Sequence, residues 1–172
     1  MPPKGGAAKR RPGVAHSRSA ARNVDLADRF YAMNDHEALM SAGPSAVDGG
    51  GSDAVALATA CLHRFTEAFN ACSASAMDAE LHFPHAFLAG AEQHVWAGPG
   101  RHPAGLFDAL RSEGWAFTRY DSIEPVLATA EKVHFAVGYS RCRADGSVLS
   151  EHANLWVVVR RASRWGVVWR SY

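Results

Sequence analysis

The chain has 172 residues, 48% hydrophobic and 20% charged, enough for one ordinary domain of roughly 100–200 residues plus a tail, with a core that needs no staples. Its net charge of +1 hides an asymmetry: the first 24 residues carry Lys4, Lys9, Arg10, Arg11, Arg18 and Arg22 and no acid, which leaves the rest with twelve basic residues against seventeen acidic. The body therefore lacks the basic stripe that nucleic-acid binding needs, no apolar run reaches the ~18 residues of a membrane span, and Cys61, Cys72 and Cys142 form neither an even disulfide set nor a CxxC pair.

These exclusions predict a cytoplasmic protein with reduced cysteines and with neither a nucleic-acid nor a membrane partner. The N-terminus lacks the apolar stretch of a secretory signal, while its acid-free, Arg-, Ser- and Ala-rich start leaves an organelle-targeting segment as the alternative. Residues 1–52 read as a basic tail. Positions 1–23 have no periodicity and too little apolar surface to offset chain entropy, so disorder is expected there. A short amphipathic helix fits 24–40 on Leu26, Phe30, Met33, Leu39 and Met40, and a Gly-rich linker fits 41–52. The folded domain is expected at 53–172.

Asp53 is a plausible N-cap for a helix in which Val55, Ala58, Leu62, Phe65, Phe69 and Cys72 recur at steps of three and four, the stripe of a helix lying on a sheet. Ser75 followed by Asp78 has the spacing of a capping box and opens a second, short helix. Positions 81–90 follow as a strand ended by Gly90, with Leu81, Phe83, His85, Phe87 and Ala89 on one face and His82 on the other. A return strand at 92–97 is broken by Gly98, Pro99 and Gly100. Pro103 suits the first turn of a helix running to Glu113, with Gly114 as its cap. From Trp115 the period changes to two, giving strands at 118–128, 132–143, 148–161 and 164–172. Asp145 and Gly146 join the second and third of these, and Ala162 and Ser163 join the last two. The order predicts an α+β chain with long antiparallel strands.

Particular residues carry a resemblance. The helix end at Arg64, Phe65, Phe69 and Asn70, the run from Asp78 through Leu81 to Pro84, and the closing strand with Trp165, Gly166, Val167 and Arg170 resemble the nuclear transport factor 2-like superfamily, which includes the SnoaL-like and ketosteroid-isomerase-like proteins. The string His82, Phe83, Pro84, His85 with the terminal Arg170 and Ser171 is similar to an uncharacterised bacterial branch of it. The resemblance implies a cone-shaped α+β barrel, a bent antiparallel sheet wrapped around a long N-terminal helix. It does not imply one chemistry, because the fold hosts many. Ketosteroid-isomerase-like members use a helix tyrosine, a first-strand aspartate and a late-strand acid. Matching this sequence to them puts Phe65, Phe83 and Asn154 or Leu155 at those places, so all three roles lack their functional group.

The remaining polar residues define the candidate site. His85 is either a general base or a buried imidazole bonded to backbone, and Glu151, placed on the apolar face of its strand with Leu149, Ala153 and Leu155, could complete an acid–base pair with it. Phe65, Phe69, Phe83, Phe87 and Tyr139 are expected to line a pocket for a small hydrophobic ligand. Trp156, His152 and Asn154 are expected on the outer face of the sheet, which in this fold is commonly a dimer interface, so a homodimer is anticipated. No metal and no cofactor are expected. His82 and His85 lie at an odd offset that sends strand residues to opposite faces, and the Gly-rich stretches match neither the dinucleotide fingerprint nor the P-loop. Two functions follow: a pocket for a hydrophobic molecule, with acid–base chemistry of the cyclase, isomerase or dehydratase type, or a non-catalytic homodimeric interaction module.

Overall fold

Residues 50–172 are described by the computed structural model; the basic tail, the helix expected at 24–40 and most of the linker lie outside the described residues. Helix α1 (Gly50–Asn70) opens three residues before Asp53, whose carboxylate lies in the first turn, where it complements the partial positive charge of the helix start. Ala54, Ala58, Cys61, Leu62, Phe65 and Ala68 form its buried stripe, spaced by three and four as the sequence requires. The Asn70 side-chain amide donates to Thr118 O and accepts from Thr118 N, both at 2.8 Å, which ties the helix end to the sheet.

Helix α2 (Ala74–Ala79) is capped by Ser73, whose hydroxyl accepts from Ala76 N at 3.3 Å, two residues before the Ser75 cap expected from spacing. The chain then enters β1 (Leu81–Ala89) and β2 (Glu92–Trp96). Helix α3 (Leu106–Ser112) starts later than expected, so Pro103 precedes it rather than forming its first turn. The meander β3 (Phe117–Ala128), β4 (Lys132–Cys142), β5 (Val148–Arg161) and β6 (Arg164–Ser171) follows the period-two segments closely. The β5–β6 turn holds Ala162 at φ 47° and Ser163 at φ 66°, the two positive values that a tight hairpin turn needs, here without glycine.

The six strands form one curved sheet in the order β2-β1-β6-β5-β4-β3, with α1 packed on the face shared by β3 to β6. Four joins are antiparallel, but β1 pairs with β6 in parallel, which corrects the expectation of a wholly antiparallel sheet. The reason is topological. This seam joins two hairpin systems that are distant in sequence, so no hairpin fixes its direction.

The seam is also irregular. Leu81 pairs with Val167 and Ala86 with Trp169, so β1 holds three more residues than β6 between these points, with His82, Phe83, Pro84 and His85 inside the irregularity. Simple alternation fails there. His82, expected on the exposed face, is buried: its Nε2 donates to Arg164 O at 3.1 Å and its Nδ1 accepts from an Arg164 Nη at 2.8 Å. Burial holds the His82 pKa below the ordinary histidine value. Gly166 makes room for the ring, since a Cβ there would lie 2.7–3.0 Å from three His82 ring atoms.

Strand β5 faces the opposite way from the sequence reading. Asn154, Trp156 and Val158 are buried, whereas Leu155 is 48% exposed. Its apolar residues are concentrated at odd positions, so hydrophobicity alone selected the wrong face. On β4 the more apolar face is the buried one: Val133, Phe135, Val137 and Tyr139 all point inward. Among the described residues no helix is long and apolar enough to cross a membrane.

Gly166→Ala should destabilise the protein by about 1–3 kcal/mol, the usual cost of forcing extra volume into a packed site. Equilibrium urea denaturation measures this, and an unchanged midpoint would show that the His82 ring yields at no cost.

Candidate functional site

Between α1 and the inner face of the sheet lies a cavity of about 270 Å³. Helix α1 contributes Phe65, Thr66 and Phe69. Phe87 and Trp96 come from the β1–β2 hairpin, His102, Pro103 and Leu106 from the segment leading into α3, and Tyr139, Trp156 and Arg170 from β4, β5 and β6. Edge-to-face contacts set the aromatic wall: Phe65 on Trp156 at 5.3 Å, Phe87 on Trp96 at 5.1 Å and Phe69 on Phe107 at 5.5 Å. Tyr120 also lines it but donates its hydroxyl to Leu62 O at 2.9 Å, so burial raises its pKa while the hydroxyl points back to the helix.

The register explains how a cation enters this wall. Trp156 pairs with Arg170, and Arg170 pairs with Phe87, so these three side chains form one inner row across β5, β6 and β1. Arg170 is 4% exposed. Its guanidinium carbon lies 5.1 Å from the Phe65 ring centre, 5.2 Å from that of Trp156 and 5.3 Å from that of Tyr172. Its Nε donates to His85 Nε2 at 3.1 Å, while His85 Nδ1 donates to Val167 O at 3.2 Å. Both ring nitrogens of His85 are thus engaged. Burial first, and the Arg170 charge second, push its pKa down to about 3, so the ring is neutral at ordinary pH.

A second polar pair lies at the same cavity. His102 Nε2 is 3.1 Å from Asp78 Oδ1, and both side chains are under a tenth exposed. The ring N–H is not well aligned on the carboxylate, so the contact is a close charge–dipole pairing, and neither atom has another partner. Asp78 Oδ2 is fixed by Gly100 N–H at 2.7 Å, and Trp96 meets the His102 ring edge-to-face at 4.9 Å. Burial holds the His102 pKa below the ordinary value, with Asp78 opposing and Arg170 reinforcing the shift. The imidazole is therefore neutral near pH 7, with the Nε2 edge toward an acid and no hydrogen-bond partner at Nδ1 among the described residues. This is the arrangement of an oriented base.

Of the pocket residues expected from sequence, Phe65, Phe69, Phe87 and Tyr139 line the cavity and Phe83 does not. His85 is buried behind the wall as the anchor of Arg170, and Glu151 is exposed on β5 opposite Ser140, so the structure does not bring these two together as a catalytic pair. All three residues assigned to an outer face lie on the inner one: Trp156 lines the cavity, Asn154 is buried, and His152 pairs directly with inward-pointing Tyr139. His152, only half-buried, stacks on Tyr139 at 4.7 Å. Sequence reasoning missed His102 and Asp78. They are 24 positions apart, and the one signal that could have found them is the glycine turn before His102, whose Gly100 N–H reaches Asp78. Among the described residues no three His, Cys, Asp or Glu side chains converge as a metal site would require.

No protein-family model matches the chain, and no curated protein does. Solved structures do. A protein of unknown function with a cystatin-like fold from Nostoc punctiforme superposes with a TM-score of 0.54 at 9% identity, over 67% of this chain and 86% of that one. An NTF2-like protein with a cystatin-like fold from Novosphingobium aromaticivorans gives 0.52 at 15% identity, over 88% and 89%. A protein from Catenulispora acidiphila, solved in complex with S-DNPA, gives 0.50 at 14% identity, over 69% and 91%. At these identities the likeness is one of fold: the chain has an NTF2-like, cystatin-like fold.

Proposed function

We propose that the protein binds a small, largely hydrophobic molecule in the aromatic cavity and that His102, oriented by Asp78, exchanges a proton with it. The observation that carries this reading is the buried His102 on the wall of a 270 Å³ cavity, with Asp78 behind it at 3.1 Å. A core pays to bury such groups, and it gains nothing from them unless they act on something that enters. The volume lies near the lower end of the range usual for small-molecule pockets, and the Catenulispora protein of the same fold is solved with a small ligand.

The chemistry follows from the residues. A neutral His102 accepts a proton from a C–H or O–H of the ligand at its free ring nitrogen, the electron pair stays on the ligand as an enolate or oxyanion, and Asp78 stabilises the resulting imidazolium. Reverse transfer to a different atom of the ligand would complete an isomerisation, and expulsion of a leaving group would make it a dehydration. Steroid-isomerase residues are not needed for this route. Phe65 provides only an apolar ring where those enzymes keep a tyrosine, and the proton is handled by His102 instead.

A separate observation favours homodimerisation beside ligand binding. Val157, Trp169, Ala86 and Val95 form one outer row across β5, β6, β1 and β2, and Leu155 and Val95 are about half exposed. An apolar sheet face of this extent suits a second copy. It is a different set of residues from the Trp156 face read from sequence.

With 2-acetylnaphthalene as the probe, tryptophan fluorescence should report binding through Trp96 and Trp156, and Thr66→Phe, which fills the cavity, should weaken it at least tenfold. No saturable response from the unmodified protein would end the cavity reading. Exchange of the probe's methyl-ketone protons with D2O, followed by NMR, should be catalysed, and His102→Gln should slow it roughly 10²-fold or more. Because the folded His102 pKa lies below 6.5, exchange should hold steady at neutral pH and above, then fall as acid protonates the ring, with a midpoint under 6.5. A rate indifferent to His102→Gln would remove it as the base. Light scattering should give a dimer for the unmodified chain and a monomer for Leu155→Glu combined with Val157→Glu, with probe binding retained.

A further inference from the structure

Sixteen residues line the cavity; two are arginines, Arg141 and Arg170, and none is an aspartate or glutamate. An apolar chamber for a neutral hydrophobic molecule has no need of either. Arg170 is 4% exposed, and among the described residues its one hydrogen bond is the donation from Nε to neutral His85. No described residue accepts from the four N–H bonds on its two Nη atoms. Arg141 makes neither a hydrogen bond nor an ion pair with any described residue, and its Nε is buried without a partner. Asp78, which faces His102, has its other oxygen fixed by Gly100.

Buried arginines in folded proteins are ordinarily neutralised by a carboxylate, because the charge is costly to take out of water. Here the three rings around Arg170 and the His85 acceptor hold the guanidinium in place and orient it, yet none of them carries negative charge. His85 cannot serve as a counter-ion, and it does not compete for the Nη edge. A planar fork of donors held by packing in an aromatic chamber is the geometry that takes a carboxylate through two parallel hydrogen bonds. Phe65, Trp156 and Tyr172 would then lie beside the flat body of the same molecule.

We infer that the ligand of this cavity is an aromatic or similarly planar carboxylate, whose anionic group sits on Arg170 with Arg141 as the second positive charge. His85 acts as a positioning residue for Arg170 rather than touching the ligand. The inference rests on the reading of the cavity as a ligand site and adds to it the charge of the occupant.

The full chain should be titrated calorimetrically with 2-naphthoate and, separately, with 2-naphthamide, which has the same shape and no charge. Naphthoate should bind at least tenfold more tightly. Arg170→Met should bring naphthoate down to the level of naphthamide, with circular dichroism confirming the fold. Arg141→Gln should produce a smaller loss confined to the acid. His85→Gln, which keeps a donor and an acceptor at that position, should retain most of the preference, whereas His85→Leu should reduce it. Equal binding of acid and amide to the unmodified protein would overturn the inference and leave the cavity reading intact, and binding of neither would overturn both. If the Arg170 variant does not fold, the acid–amide comparison on the unmodified chain decides alone.

Discussion

The contact from Arg170 Nε to His85 Nε2, 3.1 Å long and wholly buried, is the constraint on which the interior depends. It requires His85 to be neutral and in one tautomer, with Nδ1–H on Val167 O and a lone pair toward the arginine. That condition is met because burial and the adjacent cation both oppose protonation of the ring. The geometry in turn needs the irregular β1–β6 seam, since a regular parallel ladder would alternate His82 and His85 to opposite faces. The extra residues of β1 allow both rings to be buried: His82 over Gly166 and against Arg164, His85 behind Arg170. One local departure from ideal pairing therefore places two arginines of β6 by way of two histidines of β1.

Much of the fold was legible because its signals are local. The stripe on α1 and the period-two segments of β3 to β6 are statements about neighbouring residues, and the structure reproduces their limits within a few positions. The same signals misled where burial was not decided by hydrophobicity. On β5 the more apolar face is the outer one, because the inner face carries Asn154 and Trp156 toward the core and cavity and the outer face keeps Leu155 and Val157 open. On β1 the alternation failed between Leu81 and Ala86, since a slip of register is set by a partner strand more than eighty residues away.

The site was less legible than the fold for a related reason. Aromatic residues announce a cavity wall by type, and Phe65, Phe69, Phe87 and Tyr139 are there although Phe83 is not. Charged and titratable groups announce a function only through their partners. Arg170 in sequence is one arginine beside a serine in a closing strand. Its meaning comes from three rings, one neutral histidine and the lack of an acid, contributed by α1, β1, β5 and the chain's last residue. His102 is similar: neither it nor Asp78 stands in a motif, and the turn at Gly100 joins them in space.

The distribution of imperfect contacts sharpens the argument. Elsewhere in the domain, polar side chains find partners readily, as with Asn70 on Thr118 and Arg164 on Leu81 O and Ala79 O. Six buried side-chain polar atoms among the described residues lack an aligned partner. Three belong to cavity-lining residues, Arg141, Trp156 and His102, and a fourth is the Asp78 oxygen that faces His102. Each such atom costs on the order of 1–3 kcal/mol relative to a satisfied one. A domain selected for stability alone would replace them with apolar groups at little loss of packing. Their concentration around one chamber, together with a cation that no described acid neutralises, is what the proposal of an anionic ligand accounts for. On the proposed reading, a bound carboxylate would supply the missing charge and the missing hydrogen bonds together.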